Sequence, residues 1–305
     1  MIAHRSIATL APVLMAFSAS GSFRLEYRYD LATIAGAIRT SAVTLNLDRN
    51  TQEIFVVGYG QVRVFNPAGM EVYRFGDDTA LGTIYAVAAL EDGDLLVLSY
   101  RDGKPSLLRC NFRGEVIEAV ALAGVPEPYR GMGPNAMVYQ DGRVYLADQM
   151  GMRVVVIEPS GKYLASYDLA ELIGEAKERE SLGLNGFGVD RDGSLLFTVA
   201  PLFKAFVVSP SGEVRSFGRP GSAPGNFGVV AGIGSDARGR YYVLDTLKCA
   251  VIVYDRELRF VGQFGSRGTA PGELVAPTSL AVVDNRVFVS QNGARGVAVY
   301  QVREE

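Results

Sequence analysis

SDARGRYYVLDTLKCAVIVYDRELRFVGQFG, residues 235–265, is the stretch from which the rest of the chain can be read. Residues 241–244 and 251–254 are β-branched and aromatic runs, too short for helices and suited to strands. An acidic, Gly-containing turn precedes the first run, and a polar turn precedes a third strand that ends in Phe-Gly. QDGRVYLADQMGMRVVVIEPSGKYLASYDL (140–169) has the same plan. Weaker copies start near Thr51, Glu91, Arg191 and Asp284. NPAG, EPSG and SPSG supply their turns, with Pro fixing φ and Gly allowing φ > 0.

The second strand of each unit is read as starting at Ile54, Leu95, Val144, Leu195, Tyr241 and Val287. A unit of roughly 40–50 residues is the length of a four-stranded propeller blade. Six such units predict an all-β chain, one six-bladed β-propeller of four-stranded antiparallel blades. The sixth copy stops after its third strand, and FRLEYRY (23–29) alternates apolar and polar residues. Pairing that segment with the last blade closes the ring and removes an exposed sheet edge.

Composition fits this fold and excludes several functions. The 305 residues are 48% hydrophobic and 21% charged, with a formal net charge of −3. No basic face for nucleic-acid phosphates is expected. Residues 1–20 read as a cleaved signal peptide, with His4 and Arg5 before an apolar stretch and Ser18, Ala19 and Ser20 before the cut. The alternative is an apolar N-terminal strand or helix. The stretch is shorter than the ~20 apolar residues a spanning helix needs, so no membrane span is expected. A secreted or periplasmic propeller over 21–305 follows. His4 is the single histidine, so the mature chain is expected to lack one. Cys110 and Cys249 form no CxxC or CxxCH pair, which argues against attached haem and a Cys-based zinc site.

GSAPGNFG (221–228) and GTAPGELVAPTSLAV (268–282) lead into their blades with a shared Ala-Pro-Gly, and after the first an Asp-x-x-Gly-x-aromatic segment (236–241) and a Phe-Gly ending (264–265) follow. This pattern resembles the NHL repeat, most strongly in blades 3, 5 and 6. The repeat's aspartate stands at Asp148 and Asp245 but is replaced by Gly58, Ser99, Val199 and Gln291 elsewhere. The resemblance implies comparison with lactonase-like hydrolases of the same shape, which hold calcium in the axial channel with acids and asparagines. Here the expected channel strands (42–44, 85–87, 135–137, 185–187, 231–233 and 279–281) carry no acid. Asn135, Asn185 and Thr278 remain as candidates for a polar channel mouth. Amidating lyases of similar fold use histidines for their metal, which the mature chain would not have.

The leading expectation is therefore a chain that is not an enzyme, with no metal and no cofactor, binding another protein. Its candidate contacts are apolar loop residues with arginine beside them: Tyr129, Arg130, Met132, Met150, Met152, Leu202 and Phe203. AELIGEAKERESL (170–182) is read as a helix between blades 3 and 4. A calcium-dependent lactonase-like hydrolase or small-ligand sensor at the channel mouth is the alternative, and carbohydrate recognition by tyrosines a third.

Overall fold

The structure is a computed structural model and describes residues 23–38, 44–58, 60–77, 80–293 and 295–304. Six four-stranded antiparallel sheets form the blades. Their innermost strands are Thr44–Leu47, Thr83–Ala89, Ala136–Gln140, Gly186–Val189, Val230–Ser235 and Pro277–Val283. Second strands start at Ile54, Leu95, Arg143, Leu195, Tyr241 and Arg286, within one residue of the expected positions. The predicted signal peptide, with His4, lies outside the described residues, as do Ala42 and Val43. No helix among the described residues is long and apolar enough to cross a membrane.

The N-terminal strand Phe23–Asp30 pairs antiparallel with Gly296–Glu304, completing the last blade as expected. Its inward residues anchor it sideways as well. The Phe23 ring meets Phe264 of blade 5 edge-on at 5.2 Å, and the Arg240 guanidinium lies 4.7 Å from the Phe23 ring centre. Closure thus joins the two ends of the propeller and clamps the seam onto its neighbour.

The core lies between blades, because each sheet is apolar on both faces. Strands such as Leu195–Val199 and Ala250–Tyr254 are buried at every position. Near the axis, glycine sets the spacing between sheets. A Cβ on Gly186 would fall 2.0 Å from the Ala231 carbonyl oxygen, and one on Gly232 would fall 2.8 Å from Leu280 Cβ. The innermost strands of blades 4, 5 and 6 therefore approach more closely than any side chain would permit.

The helix expected between blades 3 and 4 is broken. Leu169–Leu172 and Arg179–Leu182 are single α-helical turns, with a 3-10 turn at Ala176–Glu178 between them. Gly174, at φ +79°, stops the first turn after Ile173 N–H has bonded the Leu169 carbonyl. Asp168 caps that turn and is gripped by Arg179 at 2.6 Å, which folds the connection back onto its own blade.

Candidate functional site

The blades give the ring two unlike faces. Loops between second and third strands share the upper face with the interblade connections, while the tight turns occupy the lower one. The candidate contact residues, the channel-mouth residues and the two repeat aspartates all belong to the upper-face loops and strand ends.

The channel-mouth residues serve the backbone. Asn135 Oδ1 accepts the Gln149 N–H at 3.1 Å, and Asn185 Oδ1 accepts the Ala200 N–H at 2.7 Å. Each asparagine ties the start of its innermost strand to the loop at the end of the second. The Thr278 hydroxyl pairs with the Ser290 hydroxyl at 2.7 Å. These three groups are engaged within their own blades.

Asp148 and Asp245 do the same work with carboxylates. Asp245 is fully buried and accepts three backbone N–H groups, from Gly228 (2.5 Å), Val229 (3.1 Å) and Lys248 (2.9 Å). Asp148 accepts two, from Gly133 (3.2 Å) and Gly151 (2.8 Å). In blade 6 the Gln291 amide oxygen replaces the carboxylate and accepts the Val275 N–H at 2.8 Å. Lys248 extends the first of these staples: its ammonium donates to the Ala223 and Asn226 carbonyls at 2.8 and 2.7 Å, and burial lowers its pKa.

The axial channel is lined by Leu45, Val87, Val138, Phe187, Ile233 and Leu280, one from each blade. Asn46, which sequence reasoning missed, crosses it. Its side-chain nitrogen donates to the Met137 carbonyl at 3.1 Å while its oxygen accepts the Val87 N–H at 3.2 Å, so one amide links blades 1, 2 and 3. Arg49 lines the lower end of the channel, its pKa lowered by burial and by Arg191 against the opposing charges of Asp190, Asp141 and Asp284. Among the described residues, no three His, Cys, Asp or Glu side chains are grouped to hold a metal ion.

The apolar loop residues divide into buried and exposed. Met132 and Met152 are only 9% and 0% exposed, so neither offers a partner-contact surface, contrary to the sequence expectation. Met132 sits in the core between blades 2 and 3 and Met152 in that between blades 3 and 4. Met152 has φ +51°, a left-handed turn that tucks its side chain beneath the loop. Leu202 and Phe203 are half-buried against the cores flanking blade 4. Tyr129 is half-buried and bounds a cavity between blades 2 and 3, with Arg130 at its rim. Met150 alone of this set is a freely exposed apolar side chain, at 73%.

Three residues not expected from the sequence accompany Met150 on the upper face: Leu247 (58% exposed), Val229 and Tyr85. Tyr85 packs on Tyr100 at 4.9 Å, and burial, then the Asp148 charge, raises the Tyr100 pKa. Leu247 occupies the loop of blade 5 that matches the Met150 loop of blade 3. That signal was present in the sequence, because both follow the repeat's aspartate by two residues.

Comparison with known proteins supports the architecture. Virginiamycin B lyase from Staphylococcus aureus is 14% identical, with a TM-score of 0.57 over 93% of this chain and 88% of that one. A catalytically inactive histidine-to-alanine variant of that lyase, solved with quinupristin, gives 10% identity and a TM-score of 0.58 over 92% and 99% of the two chains. A protein of unknown function from Bacteroides thetaiotaomicron gives 10% identity and 0.60 over 93% and 77%. No family model matches the chain, and no curated protein matches it. At such identities the likeness is one of fold: the chain is a six-bladed β-propeller.

Proposed function

We propose that this chain is a non-catalytic, extracytoplasmic propeller of the NHL-repeat type that binds another protein through its upper face. The observation that carries the reading is the pair Met150 and Leu247, exposed at equivalent loop tips in blades 3 and 5. Val229 and Tyr85 add apolar surface on the same face. Large apolar side chains held out in water at matching positions are characteristic of a contact surface rather than of a folding requirement. Near the channel mouth Asn135 and Asn185 accept backbone amides and Thr278 pairs with the Ser290 hydroxyl, which favours binding over turnover there.

The test is co-purification from the native host with wild type and with a Met150→Glu/Leu247→Glu double variant. A stoichiometric protein partner retained by wild type and lost by the variant is expected. Wild-type protein that elutes alone, or a partner held equally by both, overturns the reading.

A further inference from the structure

The outermost strands of blades 1 and 2 are unlike the others. Among the described residues fourteen large hydrophobic side chains are exposed, and six of them lie here: Met70, Val72, Tyr73, Phe112, Val116 and Ile117. Val72 and Tyr73 stand on Glu71–Phe75 of blade 1, and Val116 and Ile117 on Val116–Ala119 of blade 2. The second of these strands is exposed at all four positions. Elsewhere charged and polar groups guard the rim. Phe23–Asp30 exposes Arg24, Glu26 and Arg28, and Val214–Phe217 exposes Arg215 and Ser216.

The two strands form one surface. Tyr73 donates its hydroxyl to the Arg113 carbonyl at 3.3 Å, which ties blade 1 to the turn that leads into Val116–Ala119. A Cβ on Gly114 of that turn would collide with the Phe75 ring, so glycine lets the turn settle against blade 1. Ile117 is the extra residue of a β-bulge, since Glu118 faces Arg109 while Val116 faces Cys110. It has no residue opposite it in the ladder and is more than half exposed.

Half-exposed side chains of this size leave on the order of 80 Å² each in water, or roughly 500 Å² for the six. That is toward the upper end of the ~300–600 Å² typical of the largest apolar patch on a monomer. With the charged groups between them, the rim approaches the ~800 Å² that each partner gives to a standard interface.

The charges choose the occupant. Arg113, its guanidinium 5.2 Å from the Phe112 ring centre, stands before the strand, and Glu118 lies near the strand's far end. Neither has an ion-pair partner among the described residues. A row with a cation at one end and an anion at the other is complementary to itself when reversed.

We propose that two copies of this chain pair through this rim about a two-fold axis, with their Val116–Ala119 strands antiparallel. Arg113 of each copy then meets Glu118 of the other, and both sets of apolar side chains leave water around the axis. Exposed ion pairs add little affinity and mainly fix orientation, so the apolar area drives the pairing. A contact of this size between two folded monomers is released on dilution. The rim is built from outermost strands, not from the loop tips that carry Met150 and Leu247, so either reading can fail without the other.

Sedimentation velocity of the purified chain over a hundredfold range of concentration tests this, with thermal melts to check the fold of each variant. Wild type is expected to pass from monomer to dimer as concentration rises, with no larger species. Ile117→Glu is expected to remain monomeric throughout. Arg113→Glu and Glu118→Arg, each alone, are expected to weaken the dimer at least tenfold, because each sets like charges opposite one another. An equimolar mixture of those two variants is expected to regain the wild-type dimer, since both cross-pairs then have opposite signs. A wild-type chain that stays monomeric over the whole range would refute the proposal. So would a dimer indifferent to Ile117→Glu, or a mixture that associates no more tightly than its components.

Discussion

The two aspartates show how far single positions can be read. Each occupies the repeat's turn position, and a carboxylate there is suited to collecting backbone N–H groups, which is what both do. Their difference was not legible, because it depends on which amides the loops bring near. Asp245 holds three N–H groups in a fully buried setting, whereas Asp148 holds two in a half-buried one. Losing the acceptor leaves buried donors unsatisfied at about 1–3 kcal/mol each before relaxation. Asp245→Ala is therefore expected to lower stability by roughly 3 kcal/mol, and Asp148→Ala by about half as much. Urea denaturation of the two variants checks this, and equal losses would contradict the geometric ranking. The methionines mark the limit of residue-level reading. Met150 and Met152 are chemically identical and two positions apart, yet one is in water and the other in the core. Only the left-handed turn at Met152 separates them, and its φ of +51° is a property of the closed loop rather than of the residue.

At the scale of elements, strands and their order were legible because strand periodicity and turn residues are local. Blades 5 and 6 were clearest, and one reason now has a structure. Tyr254 and Tyr300, at matching places on third strands, donate their hydroxyls to the carbonyls of Gly225 and Gly272, the glycines of the two Ala-Pro-Gly turns. The broken helix was misjudged because its apolar spacing outweighed Gly174 in the reading, although glycine at positive φ ends a helix. The closing strand was legible from the count of strands in the last copy. It carries Phe23, Leu25, Tyr27 and Tyr29 toward the core, each partly buried. Full burial of such a side chain is worth about 1.5–3 kcal/mol, so four partial burials amount to roughly half of that sum. That is about 3–6 kcal/mol, a large share of the roughly 5–15 kcal/mol that stabilises an ordinary domain. Deleting residues 23–30 is expected to leave a three-stranded last blade with an open edge that aggregates, as seen by size-exclusion chromatography. Adding a synthetic 23–30 peptide is expected to restore a monomeric peak. A deletion variant that stays monomeric and melts within a few degrees of wild type would show that the seam contributes little.

The whole ring is held by contacts between blades, and many of these place phenols in apolar surroundings. Gly186 and Gly232 let adjacent sheets approach, and the tyrosines are buried in the interfaces. Burial is the first cause raising the pKa of Tyr242, Tyr254 and Tyr300, with Asp236 adding to it at Tyr242 and Asp30 at Tyr300. In the unfolded chain a phenol ionises near pH 10. For an acid whose folded pKa is higher, the native state keeps protons that the unfolded state releases. Its contribution is therefore complete below about pH 10 and is lost as pH rises above that value. The propeller should denature in alkali, with these tyrosines ionising together with the loss of sheet ellipticity rather than before it. Tyr300→Phe separates this effect from simple loss of a hydrogen bond. Near neutrality the variant is expected to be about 1 kcal/mol less stable, because the Gly272 carbonyl loses its 3.1 Å donor. Above about pH 10 that deficit should shrink and then reverse, since phenylalanine has no proton for the unfolded chain to release. Urea midpoints measured across this range decide the matter. A deficit that stays constant with pH would mean that the Tyr300 phenol ionises as readily in the folded ring as in water.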